Sequence, residues 1–195
     1  RGGVRGGERG MDRLRAAGEQ VSMARVGRAV NELGVAAVGR TGAQVGIVTE
    51  SAEGRARILE VRTEGVRARL AEGQVVVVAG FQGTSLSSGG TAEITTLGRG
   101  GSDTSAVALA AALGADACEI YTDVPGVLTT DPRKVANAQL MPQVSCDEML
   151  ELASLGAAVL HPRAVEIARN YGVNMVVRSS WSDAPGTTLT SRNAR

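Results

Sequence analysis

Residues 95–116 read TTLGRGGSDTSAVALAAALGAD. Three glycines, Gly98, Gly100 and Gly101, strip side chains from a turn that leads into an alanine-rich stretch. The spacing predicts a helix over residues 102–113, with Gly114 just past its end. Directly after it, DACEIYTDV (residues 116–124) reads as a strand. On the upstream side, VVVVAGF (residues 75–81) is a continuous β-branched run, the pattern of a strand buried on both faces. A strand, a glycine turn, a helix and a second strand in this order predict an α/β fold with a largely parallel sheet.

The same alternation extends outward. Residues 11–33 are helical in period, with Leu14, Ala17, Val21, Ala24 and Val30 as the apolar stripe and Gly34 as the stop. Short strands are expected at residues 35–39 and 56–61, and a helix at 63–73. The glycine-serine loop QGTSLSSGGTAEITTLG predicts a hairpin. Beyond the central strand at 116–124, helices are expected at 146–156 and 161–172, each closed by glycine. A further central strand is expected at 173–180. No repeat and no second domain is visible. RGGVRGGERG (residues 1–10) lacks apolar periodicity and is expected to be a flexible segment. Residues 191–195 are expected to be a tail.

Composition narrows the function classes. The chain has 195 residues, 43% of them hydrophobic and only 2% aromatic, so the core must be aliphatic. With 21 basic and 20 acidic residues, the charge is +1, and there is no basic field for nucleic acid. No apolar run approaches membrane-spanning length. The expectation is a cytoplasmic protein with no membrane or nucleic-acid partner. Cys118 and Cys146 fit no metal spacing, and no metal-ligating cluster is expected.

Two segments carry candidate chemistry. In TTLGRGGSD the bare backbone can approach a ligand closely, and the following helix presents free N–H groups and the positive end of its dipole. That end attracts an anion. Arg99 adds a planar fork for a carboxylate, and Asp103 an opposite charge nearby. A zwitterion such as an amino acid needs that pairing. Ser102 or Asp103 serving only as a helix cap is the plainer alternative. In YTDVPGVLTTDPR (residues 121–133) a strand ends at Thr122–Asp123, and Pro125–Gly126 force a turn. A carboxylate there can serve a ribose hydroxyl, magnesium or only the turn. His161, before Pro162 at a helix start, is expected to pack or cap.

These segments, with GAAVLHPRAVEIA, AAGEQVSMA (residues 16–24) and VVAGFQG (residues 77–83), resemble successive signatures of the aspartate kinases of the amino acid kinase superfamily. The similarity runs from about Met11 to Leu189. It implies a three-layer α/β/α sandwich over residues 11–190. It also implies transfer of the γ-phosphate of ATP, with Mg2+, to the side-chain carboxylate of L-aspartate, a step toward lysine, threonine and methionine. By resemblance, Arg99 grips a carboxylate of aspartate with Ser102 nearby, Glu19 and Asp103 face its ammonium, and Phe81 lines the pocket. Thr122, Asp123 and Leu128 would face the nucleotide, and Arg133 would lie near its phosphates. Ala158 stands where the family usually has a nucleotide-contacting lysine, and Leu128 where an aromatic is common. No catalytic residue is assigned.

The family's Lys-Phe-Gly-Gly-Thr-Ser strand and loop does not precede Met11, so the expectation is a domain without its first strand and without regulatory modules, inactive alone if that lysine is indispensable. The full-length enzyme is expected to be a homo-oligomer. Two alternatives remain open: another amino acid kinase, or a non-catalytic fragment that binds aspartate or a partner.

Overall fold

The computed structural model describes residues 3–86, 90–155 and 159–191, with side chains from Gly10 onward. Ten strands and five helices alternate along the described chain. They divide into two compact units, Arg1–Ser105 and Ala106–Arg195, although the sequence showed no second domain. The partition follows long-range contacts, which leave no local mark in the sequence.

The first unit opens on α1 (Gly3–Glu32). The helix starts at Gly3 rather than Met11, so most of the glycine-rich stretch expected to be flexible is helical; once a helix is nucleated, each added residue gains one backbone bond. A second correction concerns its face. Leu14 and Val21, from the expected apolar stripe, are 66% and 59% exposed. The face that packs on β1 (Ala37–Thr41), β4 (Val75–Ala79) and β6 (Ala92–Thr96) carries Asp12, Ala16, Met23 and Gly27 instead. Those residues are also spaced at helical period, and the small size of Ala16 and Gly27 lets the helix lie close to the strands.

β1 and β4 pair in parallel, from Ala37 opposite Val75 to Thr41 opposite Ala79. β4 was expected to be buried on both faces; it is exposed at Val75 and fully buried only at Ala79. Among the described residues β1 is its sole partner, so its β-branched run is covered on one edge only. A four-stranded sheet follows the order β3-β2-β5-β6, with β2 (Ile47–Thr49), β3 (Ile58–Val61) and β5 (Gln82–Leu86). β5 and β6 form the expected antiparallel hairpin. α2 (Glu64–Ala71) lies between β3 and β4 in the chain.

Polar groups stitch this unit together. The Asp12 carboxylate, 1% exposed, accepts the Thr96 hydroxyl at 2.7 Å and the Gly54 N–H at 3.0 Å. Gln82 donates to the Ala16 carbonyl at 3.2 Å and accepts from Gln20 at 3.0 Å. The Thr49 and Thr95 hydroxyls share a 2.6 Å bond. The Ala56 N–H donates to the Thr96 carbonyl, which fixes the 50–56 loop to β6. Each of these buried polar groups thereby keeps a partner, as burial favours, whereas Gln74 Oε1 in the same unit is buried without one.

The chain passes into the second unit within α3 (Gly101–Leu113). Its sheet has the order β7-β9-β10-β8, with β7 (Cys118–Thr122), β8 (Gln143–Ser145), β9 (Met175–Ser179) and β10 (Thr187–Thr190). β7 was expected to be central; it is an edge strand of this sheet, and Glu119 and Tyr121 are exposed. β9 is interior, as expected. Across the two units, parallel pairs outnumber antiparallel ones, which fits the α/β class.

α4 (Cys146–Ser154) starts with a reciprocal cap: Ser145 accepts from the Glu148 N–H, and Glu148 accepts from the Ser145 N–H at 2.7 Å. α5 (Pro162–Tyr171) begins at His161, whose Nδ1 accepts from the Arg163 N–H at 3.3 Å. His161 is thus a cap, as expected, and Gly172 closes the helix. The two helices and the sheet enclose Met149, Val165, Ala168, Met175, Val177 and Leu189, all essentially sealed from solvent.

Candidate functional site

The turn between β6 and α3 is held by its own geometry. Gly98 has φ 76°, and a Cβ there would sit 2.9 Å from the Gly54 carbonyl oxygen. A Cβ at Gly101 would sit 2.7 Å from the Phe81 ring. Side chains are excluded at both positions by packing, and at Gly98 by conformation as well. Phe81 has a φ of 67°, the sole non-glycine with positive φ among the described residues. Such strain costs about 1–3 kcal/mol and persists where neighbours over-determine it. Here the Ser105 hydroxyl accepts the Phe81 N–H at 3.1 Å, and the Phe81 carbonyl accepts the Leu97 N–H at 3.0 Å.

This construction shapes an open cleft of about 440 Å³ within the first unit. Arg15 and Glu19 line it from α1, Phe81 from the β4–β5 junction, Gly98, Arg99 and Gly100 from the turn, and Gly101, Ser102 and Asp103 from the start of α3. All five residues expected to meet an amino acid, Glu19, Phe81, Arg99, Ser102 and Asp103, line this one cleft. The helix opens at Gly101, so Ser102 and Asp103 lie inside its first turn rather than at the cap. The cleft therefore combines guanidinium groups, carboxylates and a helix N-terminus. That set can hold a carboxylate and an ammonium of one small molecule.

Arg15 also lines this cleft, though the sequence motifs did not mark it. It sits one helical turn before Glu19, so the i, i+4 spacing from Glu19 was the available signal. A second cleft, of about 490 Å³, runs along Met23, Gly27, Asn31 and Gly39. It contains none of the expected site residues, and its Arg28 is paired with Glu32 at 2.7 Å.

The residues expected to face a nucleotide lie in the second unit. Thr122 ends β7, and its hydroxyl lies 3.2 Å from an Asp123 carboxylate oxygen. The following turn is locked: the Thr187 hydroxyl accepts the Val127 N–H at 2.9 Å and donates to the Met141 carbonyl at 2.6 Å. Leu128 pairs with Leu140 across an isolated bridge. The exposed Arg133 guanidinium forms a two-pronged pair with Asp131, at 3.0 and 2.9 Å. The Arg133 side chain and N–H hold the Asp131 carboxyl down to about 2. Arg133 is thus engaged locally through Nε and Nη2. Ala158 lies outside the described residues.

Among the described residues, no three His, Cys, Asp or Glu side chains come together as a metal cage. Among the described residues, no helix is long and apolar enough to cross a membrane.

A model of the amino acid kinase family matches residues 6–179. The aspartokinase of Bacillus sp. (strain MGA3) is 57% identical over 182 residues, which are 93% of this chain and 43% of that protein. The aspartate kinase of Synechocystis superposes with a TM-score of 0.80 at 64% identity, over 96% of this chain and 30% of that one. E. coli aspartokinase III, solved in complex with aspartate and ADP, superposes with a TM-score of 0.86 at 34% identity, over 96% of this chain and 42% of that one. The chain spans less than half the length of the curated relatives it matches.

Proposed function

The chain belongs to the amino acid kinase family, and from that premise we propose that it is a catalytic-domain portion of an aspartate kinase. The observation that carries the reading is the cleft, where Arg99, Glu19, Phe81, Ser102 and Asp103 meet at the start of α3. L-Aspartate is the substrate that this charge pattern suits. Arg99 binds a carboxylate through its planar fork, and Glu19 and Asp103 favour the ammonium.

In the reaction a side-chain carboxylate oxygen of aspartate forms a bond to the γ-phosphorus of ATP. The bond from that phosphorus to the β–γ bridging oxygen breaks, and ADP leaves. An anion attacks an anion, so positioning and charge cancellation supply most of the catalysis. The chain's own parts in this are to anchor aspartate by one of its carboxylates at Arg99, to present α3 N–H groups, and to seat the nucleotide along Thr122, Asp123 and Leu128. Arg133 meets the phosphates. Mg2+ bound together with ATP would supply neutralisation of the phosphate charge. The support for this reading is the aspartokinase likeness over 93% of the chain, together with the cleft. The same reading carries a place in synthesis of the aspartate-derived amino acids, a cytoplasmic location and self-association of the whole protein.

One observation favours a second reading, aspartate binding without transfer: two of the three Arg133 guanidinium nitrogens are already paired with Asp131, which offsets its charge. Incubation of the chain with L-aspartate and Mg-ATP, with hydroxylamine to trap the acyl phosphate, separates the two. Aspartate-dependent ADP and hydroxamate, both lost in Arg99→Ala, support the kinase reading. Aspartate binding with neither product supports the second. Absence of aspartate binding rejects both.

A further inference from the structure

Arg15 is the cleft's second cation, and the aspartate kinase resemblance assigned it no role. It lines the same cleft as Arg99, from the opposite element, α1. Its side chain is 49% exposed, and its Nη1 lies 3.7 Å from Asp12 Oδ1. That separation is an ion pair without a hydrogen bond, so Asp12 attracts the guanidinium without consuming its N–H donors. Asp12 itself cannot swing. Oδ1 accepts the buried Thr96 hydroxyl, and Oδ2 accepts the Gly54 N–H, so β6 and the 50–56 loop hold both oxygens. A mobile side chain is thereby drawn toward one place on the cleft wall.

The charges of the cleft then match a particular ligand class. An amino dicarboxylate brings two negative groups and one positive group. Arg99 answers one carboxylate and Glu19 with Asp103 the ammonium; Arg15 remains for the second carboxylate. We infer that Arg15 is a second carboxylate anchor, selecting an amino acid with an ionised side chain over its neutral amide, with Asp12 as the positioning residue that holds it. This rests on the reading of the cleft as an amino acid site.

The test compares L-aspartate with L-asparagine, which differ only in that carboxylate. Affinities are measured by calorimetry on the full chain, its Arg15→Leu variant and its Arg15→Lys variant. Arg15 is half-exposed, and circular dichroism checks that each variant folds. The expected result is a loss of aspartate affinity of about tenfold in Arg15→Leu, with asparagine affinity changed less than about twofold. Arg15→Lys should recover part of the loss, since charge returns without the planar fork. If Arg15 serves only the Asp12 ion pair, thermal stability falls while the aspartate-to-asparagine ratio stays fixed, and the inference is overturned. Equal losses for both ligands overturn it as well. Failure of the unsubstituted chain to bind aspartate overturns the proposed function, and this assignment with it.

Discussion

In the second unit, Met149, Val165, Met175, Val177 and Leu189 are sealed in one contiguous apolar cluster beneath α4 and α5. The first unit instead buries Asp12, Thr49, Gln82, Thr95 and Thr96 among a smaller set of aliphatic side chains. Apolar burial is strong but non-directional, whereas hydrogen bonds contribute less net energy and fix angles. The cleft lies in the hydrogen-bonded unit. Its residues come from α1, the β4–β5 junction and the β6–α3 turn, and a site assembled from separate elements needs directional ties between them.

The comparison predicts where substitutions act. The largest stability effect is expected from Met149→Ala, which opens a cavity in the second unit. The unfolding transition of that unit should move by about 2–5 kcal/mol. The fold of the cleft should stay intact, as read by the unchanged amide signals of residues 10–105. Collapse of both units together would break the distinction.

Next is Asp12→Ala, which leaves the buried Thr96 hydroxyl and the Gly54 N–H without their acceptor. Chemical denaturation should report a loss of roughly 2–4 kcal/mol, concentrated in the first unit. A loss under about 0.5 kcal/mol, the range of ordinary surface changes, would show that the polar stitching matters little.

Gly98→Ala is expected to cost about 1–3 kcal/mol, because it combines positive φ with a near contact to the Gly54 carbonyl. Aspartate affinity should fall further than stability, since the turn that carries Arg99 must shift. An affinity equal to that of the unsubstituted chain would show that the turn does not set the cleft.

The smallest effect is expected from Ser145→Ala in the second unit, about 1 kcal/mol for a lost helix cap. Hydrogen bonds from the Ser145 N–H and hydroxyl hold the Glu148 carboxyl below its ordinary value. A lowered folded value contributes stability that is present above the ordinary glutamate range and lost as pH falls through the lowered value. The gap between Ser145→Ala and the parent chain should therefore narrow in acid. A gap independent of pH would detach Glu148 from the cap.

Much of this was legible in residues 95–116, because the glycines, Arg99 and the helix start are contiguous there. Helix 1 was also legible, but its packed face was not. Two stripes fit the same period, and the buried one carries Asp12, Ala16 and Gly27, which hydropathy does not mark. β2, β8 and β10 have three or four residues each, too few for a period to register. The Val75–Val78 run suggested a strand covered on both faces, yet coverage depends on sheet neighbours far away in sequence. The Arg133–Asp131 ion pair is local, between residues two apart, but the sequence does not say whether an exposed guanidinium turns to its neighbour or to a ligand.

The central claim is that the cleft at the start of α3 receives aspartate. An amide chemical-shift map recorded while L-aspartate is added tests it most directly. The account predicts saturable shifts at Phe81, Gly98, Gly100, Gly101, Ser102 and Asp103, with the groove between Met23 and Gly39 unmoved. Shifts confined to that groove, or none at the turn at saturating aspartate, would contradict it.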